Sequence, residues 1–402
     1  MVIALNLTER VQNLEYAIRD VVGHAREMEK KGKDVIYLNI GDPLQFDFET
    51  PEFIKDALIQ AVKENFNAYS PSEGLPELRD AITEKEKRVG GIDVLPENVI
   101  ISNGVSEAIQ MVLGAIVDSG DEVLVPGPAY PPYISYTEFF SGKAIQYKTN
   151  EDDGWQPDID DVRSKITDKT QAIVIINPNN PCGALYDRKT VKEMVNIAGE
   201  HNIPIISDEI YDQLSYEEIV STANVAKDVI VIGLNGFSKV YLMTGWRLGY
   251  MYFTGQNEQV LADLREYIMK EARIRLSANT PVQKAAVAAL RGPQDYIVKM
   301  VKKLQERRDY SYKRLNEIEG ISCTKPNGAF YFFPKVEGIG SQWPNDMAFV
   351  RDLIDETGIV FVHGSGFGSK YGSGHFRGVF LPPLETLKES FDRFDKFMKS
   401  KK

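Results

Sequence analysis

Five clusters of polar residues in this chain each follow directly on a short apolar run. "AIVII" leads into "NPNNPCG" with Asn177 and Asn180, and "PIIS" into "DEIYD" with Asp208 and Tyr211. "VIVIGL" leads into "NGFSK" with Ser238 and Lys239. "NVII" precedes "SNGVSEA", where Gly104, Val105 and Ser106 open a helical stretch, and "EVLVP" precedes "GPAYPPY" with Tyr130. Each residue alone has an ordinary use: Asn and Pro form turns, Asp caps helices, and Tyr beside proline packs. In an open α/β sheet, however, ligands bind beyond the carboxyl ends of the strands, so five such ends open on one crevice.

The groups gathered there suit one cofactor chemistry. An aldehyde-bearing cofactor needs an amine for its resting Schiff base, and Lys239 offers one. A pyridine ring that accepts electrons needs its nitrogen held protonated, a task for the Asp208 carboxylate. A phosphate handle wants free backbone N–H groups at a helix start, which Gly104, Val105 and Ser106 present. Arg247, eight residues after the lysine, adds a guanidinium to that phosphate. Tyr130 can stack on the ring, while Asn180 and Tyr211 can hydrogen-bond its phenolic oxygen.

The elements that must hold these groups are legible from periodicity. Leu14, Ile18, Val21, Ala25 and Met28 recur at helical spacing until Gly32. From about residue 50 to 290, helical segments alternate with apolar β-branched runs, including "LGYMYF". Runs that are apolar throughout are buried on both faces, which predicts a mostly parallel sheet covered by helices. A charged helical stretch follows, then a smaller α+β segment carrying "GAFYFFPK", "IVFVHG" and "GHFRGVFL". The expected division is a large α/β domain over residues 46–290 and a smaller one over 291–402, joined by residues 1–45.

Composition removes several classes. A net charge of −11 argues against a nucleic-acid partner, whose phosphates need a basic face. Two cysteines, Cys182 and Cys323, make no disulfide framework, and the histidines His24, His201, His363 and His375 show no paired spacing for a metal. No run approaches the ~20 apolar residues of a membrane span, and the N-terminus lacks a secretory core. A soluble cytoplasmic protein is expected, with no metal and no membrane partner. The glycines of "IVFVHGSGFGSKYGSG" miss the Gly-x-Gly-x-x-Gly spacing of a dinucleotide site.

"NPNNPCG", "SDEIYD" and "FSKVYLMTGWRLGY" resemble the signatures of class I/II aminotransferases, pyridoxal-phosphate enzymes of fold type I, and they occur in the family's order. The likeness runs from "LNIGDP" to "GHFRGVFLPP". It implies pyridoxal 5'-phosphate as cofactor, Lys239 as the Schiff-base lysine, Asp208 as the pyridine partner and Arg247 as a phosphate ligand. It further implies Arg377 as the clamp on the substrate α-carboxylate and Gly41 as a backbone position in the substrate pocket. Tyr69 in "NAYSPSEGLPELR" matches a tyrosine that reaches the neighbouring subunit's phosphate, so a homodimer is implied. "VHGSGFGSKYGSGHFRGVFLPP" and "ARIRLSANTPVQ" look most like the alanine-aminotransferase branch. L-Alanine and 2-oxoglutarate are therefore the expected substrates, with Arg273 and Arg275 as candidate partners of a distal carboxylate. Aspartate or aromatic specificity, or a carbon–sulfur lyase, are the alternatives. Two positions depart from the family pattern: Cys182 stands where threonine is common, and Gly236 where a hydroxyl usually meets the phosphate. Loss of that hydroxyl implies a phosphate contact weaker by ~1–2 kcal/mol.

Overall fold

The computed structural model describes residues 8–12 and 17–401. Leu14 of the expected first helix lies outside the described residues; the helix itself is Ala17–Lys30, and Gly32 follows it at φ 85°. Val21 and Ala25 are buried, as the helical period predicts. The chain then forms a two-residue strand, β1 (Ile36–Tyr37), before entering the central sheet.

That sheet contains β2 (Val99–Ser102), β3 (Glu122–Gly127), β4 (Lys143–Asn150), β5 (Gln156–Pro157), β6 (Thr170–Ile176), β7 (Ile205–Asp208), β8 (Val231–Gly236) and β9 (Gly249–Thr254). Its order is β2-β9-β8-β7-β6-β3-β4-β5. β4, β3, β6, β7 and β8 pair in parallel, and every residue of β7 and β8 is buried. These are the continuous apolar runs of the sequence, covered on both faces. β9, the "LGYMYF" run, is antiparallel to both β2 and β8. It follows β8 without a crossover helix, which only an antiparallel return allows. β4 escaped sequence reading because "KAIQYKTN" mixes charged and apolar residues, as its partly exposed place near the sheet edge permits.

The remaining strands are β10 (Ile321–Ser322), β11 (Tyr331–Phe332), β12 (Lys335–Val336), β13 (Ile359–Val360), β14 (Val362–His363) and β15 (Phe376–Val379). "IVFVHG" is thus two short strands divided at Phe361. β13 pairs with β1, while β14 and β11 flank β15. Phe361 stacks on Phe376 at 4.5 Å, the tightest contact in an aromatic cluster that also includes Phe332, Phe349 and Phe394. The stack fixes β15, and with it Arg377. Among the described residues no helix is long and apolar enough to cross a membrane.

One charged group sits deep in this fold. Lys85, on the helix Pro76–Gly90, is fully buried and bonds both Glu86 (3.0 Å) and Asp212. Asp212 also accepts from Asn235 at 2.9 Å, and Asn235 accepts from the Gly236 backbone at 2.7 Å. Tyr250 donates to Glu86 at 2.5 Å. The ammonium therefore ties a helix to the ends of β7 and β8, both of which lead into the candidate site. Removing one partner of a buried ion cluster strands the others without compensation, at a cost of about 3–5 kcal/mol. Lys85→Ala is expected to lower unfolding stability by that amount in urea titration, whereas an exposed pair such as Lys87–Asp93 should contribute less than ~1 kcal/mol.

Candidate active site

A cavity of about 800 Å³ opens at the carboxyl ends of the parallel strands. Its wall includes Gly41, Val105, Ser106, Tyr130, Asn180, Asp208, Tyr211, Ser238, Lys239, Arg247 and Arg377, so nearly all the residues singled out from sequence meet there. Asp208 ends β7 beside Ile176 of β6 and Leu234 of β8, and Lys239 lies five residues past Leu234. Gly104 is the remaining cradle residue. It caps the helix Val105–Ile116 at φ 86°, and a Cβ there would lie 2.4 Å from an Arg247 nitrogen.

Lys239 Nζ donates to the Gly41 carbonyl at 2.6 Å. Burial pushes its amine down to about 8; nearby Asp42 opposes that shift, while Arg377 and Arg247 add to it. Asp208 accepts from the Tyr133 hydroxyl at 2.8 Å and the Ile210 N–H at 3.2 Å. Burial still lifts its carboxyl to about 6, and no cationic side chain among the described residues pairs with it. Such a carboxylate fits a protonated ring nitrogen. Tyr211 shares a 2.7 Å hydrogen bond with the Tyr331 hydroxyl. Arg377 is fully buried, donates to Asn180 Oδ1 at 3.0 Å and to the Asn39 carbonyl at 2.6 Å, and lies over the Tyr331 and Phe367 rings. Its partners fix the guanidinium at the cavity wall, where a carboxylate can meet it.

The phosphate end depends on close backbone approach. Arg247 is exposed to the cavity at φ 56° and donates to the Thr244 carbonyl at 3.0 Å, with no acidic partner among the described residues. A Cβ on Gly249 would stand 2.8 Å from the Gly104 carbonyl carbon and the Val105 nitrogen, so glycine lets the helix start settle on β9. Gly236 is explained by the same packing. Its Cβ would come within 3.1 Å of Gly249 Cα and the Leu248 carbonyl, and it is not part of the cavity wall. Ser238 offers the hydroxyl instead. Cys182 is also off the wall; it is buried, donates to Asn179 Oδ1 at 3.1 Å, and burial raises its thiol to about 12. Free N–H groups at a helix start, two serine hydroxyls and an arginine make a donor set that fits a phosphate.

Three expected residues stand apart. Tyr69 is 81% exposed and outside this cavity. Arg273 pairs with Glu266 at 2.6 Å, and Arg275 with Glu107 at 3.3 Å; neither lines the cavity. Sequence reasoning missed Tyr133, Tyr331, Asp42 and Thr244. Tyr133 was one of two tyrosines in "AYPPY", Tyr331 looked like an ordinary strand aromatic, and Asp42 a turn former. Asp42 accepts from the Leu44 N–H and from Thr244 Oγ1, at 3.1 and 2.9 Å.

An amine and a carboxylate at neighbouring strand ends, with a phosphate cradle on a mostly parallel sheet, define a pyridoxal-phosphate-dependent enzyme of fold type I. The chain matches the family model for aminotransferases of class I and II over residues 33–394, and it belongs to that family. It is 58% identical to the alanine aminotransferase from Pyrococcus furiosus, with a TM-score of 0.96 over 98% of this chain and 100% of that one. It is 37% identical to the glutamate-pyruvate aminotransferase AlaA of Escherichia coli (strain K12), over 97% of each chain. Aspartate aminotransferase from Thermus thermophilus superposes with a TM-score of 0.88 at 32% identity, covering 98% and 100% of the two chains. The cofactor is pyridoxal 5'-phosphate.

An amine bonds an aldehyde only when deprotonated. Because Lys239 is lowered to about 8 from 10.5, its neutral fraction rises with pH around that value. The initial rate at which cofactor-free protein captures pyridoxal phosphate, followed by visible absorbance, is expected to increase between pH 7 and 9 with a midpoint near 8. Lys239→Ala is expected to give no such band.

Proposed function

We propose that this enzyme moves the amino group of L-alanine to 2-oxoglutarate, giving pyruvate and L-glutamate in two half-reactions that share one site. The observation that carries the substrate assignment is the full-length likeness to the Pyrococcus furiosus alanine aminotransferase, together with the E. coli glutamate-pyruvate enzyme. The chemistry rests on the arrangement of Lys239, Asp208 and Arg377 around one cavity.

When bound, pyridoxal phosphate supplies an aldehyde carbon that exchanges amino groups and a ring that takes up the electron pair left at the substrate α-carbon. Asp208 would hold the proton on the ring nitrogen, and Tyr133, whose hydroxyl donates to it, keeps Asp208 in place. Ser106, Ser238, Arg247 and the N–H groups after Gly104 would hold the phosphate, and Tyr130 would lie against the ring. Asn180 and Tyr211, on the same wall, would hydrogen-bond its phenolic oxygen. Arg377 clamps the substrate α-carboxylate with two parallel hydrogen bonds, which leaves the α-hydrogen beside Lys239. Lys239 Nζ, whose amine is lowered to about 8, is placed to take that proton as a general base and would hand it back once the electron pair had moved into the bound cofactor. Gly41, whose carbonyl already accepts from Nζ, orients the amine and borders the substrate.

The protein acts as a homodimer in this reading. Tyr69, Ile274 and Leu276 leave 81%, 84% and 51% of their surface exposed. They lie on segments brought together where Arg275 donates to the Ser72 carbonyl and Thr280 to the Ala68 carbonyl, and such an apolar face suits a second copy. Tyr69 is thereby offered to the phosphate of a second copy. The small domain of residues 291–402 with 1–45 carries Arg377, and the large domain of 46–290 carries Lys239. Two buried free thiols support a cytoplasmic setting.

Amino donors tested one at a time against 2-oxoglutarate decide the assignment. Alanine is expected to exceed aspartate and tyrosine at least tenfold in kcat/KM. A preference for either of those donors contradicts it.

A further inference from the structure

In the proposed reaction Tyr211 serves the phenolic oxygen of the cofactor and Arg377 the α-carboxylate of the substrate. Tyr331 touches both of these side chains. It lies on β11, which pairs antiparallel with β15 at Tyr331–Val379 and Phe332–Gly378. Its hydroxyl shares the 2.7 Å hydrogen bond with Tyr211, and the Arg377 guanidinium stands 4.7 Å from the centre of its ring. All three residues are buried and all three line the cavity.

The contact is fixed from several sides. The Tyr331 ring meets the Tyr211 ring edge-on, with centroids 5.7 Å apart and planes at 88°. Phe330 meets the Tyr211 ring in the same manner at 5.4 Å and 89°. The backbone of Tyr211 is held through its neighbour Asp212, which Lys85 and Asn235 bind. A Cβ on Gly41 would lie 2.2 Å from the Tyr331 hydroxyl oxygen, so a glycine at 41 leaves that hydroxyl its place. Phe367 lies against the same guanidinium at 4.8 Å.

Hydrogen-bond counting then gives the pair a direction. Burial raises the Tyr211 hydroxyl well above its ordinary range, so it keeps its proton and acts as a donor. A tyrosine hydroxyl has one proton to give. When Tyr211 gives it to the phenolic oxygen, the bond to Tyr331 requires Tyr331 to be the donor. Accepting that bond polarises Tyr211 and strengthens its own donation.

We infer that Tyr331 is a positioning residue with two tasks. Its hydroxyl directs the Tyr211 proton onto the phenolic oxygen of the cofactor, and its ring seats the guanidinium of Arg377. It reaches the cofactor through Tyr211 alone.

This inference rests on the proposed role of Tyr211, and the test separates the two. The visible band of bound pyridoxal phosphate changes as the nitrogen joining it to Lys239 loses its proton. A donor to the phenolic oxygen favours the deprotonated form, because it stabilises the negative charge left there. Losing that donor therefore moves the midpoint to higher pH. The band is titrated in wild-type holoenzyme, Tyr211→Phe, Tyr331→Phe and the double variant. The charged residues of the cavity wall, Arg26, Asp42, Asp208, Lys239, Arg247 and Arg377, are unchanged in all four. Tyr331→Phe is expected to bind the proton about 2–10-fold tighter than wild type, the scale of one hydrogen bond. Tyr211→Phe should bind it tighter still, and the double variant should match Tyr211→Phe. Calorimetric binding of propionate, a carboxylate that does not react, is expected to change less than about 2-fold in Tyr331→Phe, which keeps the ring, and to weaken about 3–10-fold in Tyr331→Leu. A midpoint that moves in Tyr211→Phe but not in Tyr331→Phe overturns the role of the hydroxyl. So does a further rise when Tyr331→Phe is added to Tyr211→Phe. Unchanged propionate binding in Tyr331→Leu overturns the role of the ring. An unmoved midpoint in Tyr211→Phe overturns the reading of Tyr211 itself and the inference with it.

Discussion

Everything in this site depends on making one lysine amine, at the end of a buried strand, give up its proton more readily than an ordinary lysine does. An ammonium in a dry crevice is costly, and the fold uses that cost instead of cancelling it. Burial and two arginines bring Lys239 down to about 8, while Asp42 limits the shift. The same burial lifts Asp208 to about 6 in the opposite chemical sense. Two titratable groups on neighbouring strand ends thus approach neutral pH from either side. One becomes able to lose a proton and the other eager for a positive partner, which is the division of labour that acid–base chemistry at a cofactor needs.

Such a pair needs a rigid floor, and the floor is built from unlike materials on its two sides. At the phosphate end, glycines at 104, 236 and 249 let backbone approach backbone, so the helix start and Arg247 converge where a phosphate can bind. Behind the sheet, Lys85 gathers Glu86 and Asp212, and Asp212 reaches Asn235 and through it Gly236. The buried ammonium behind the sheet remains charged because two carboxylates surround it, and burial does not prevail over them. The contrast with Lys239 lies wholly in the neighbours.

Much of this arrangement was legible in the sequence because strand ends announce themselves. An apolar β-branched run followed by Asn-Pro, Asp-Glu or Ser-Lys places a polar group at a sheet end, and parallel strands carry those ends to one crevice. Asp208, Asn180, Ser238 and Lys239 were found that way. Tyr133 and Tyr331 were not, since a tyrosine whose hydroxyl bonds Asp208 or Tyr211 has the same local pattern as one that only packs. Gly236 appeared to be a lost hydroxyl, yet the packing against Gly249 shows a place with little space for one. The split of "IVFVHG" at Phe361 also depended on tertiary partners, with β1 on one side and β15 on the other.

The central claim is that Lys239 and Asp208 serve amino transfer and not elimination. It is tested most directly by a single turnover of holoenzyme with L-alanine and no 2-oxo acid. The account predicts one pyruvate per active site, no free ammonia, and retention of the amino group until added 2-oxoglutarate carries it away as glutamate. Release of ammonia with continued formation of pyruvate would contradict it.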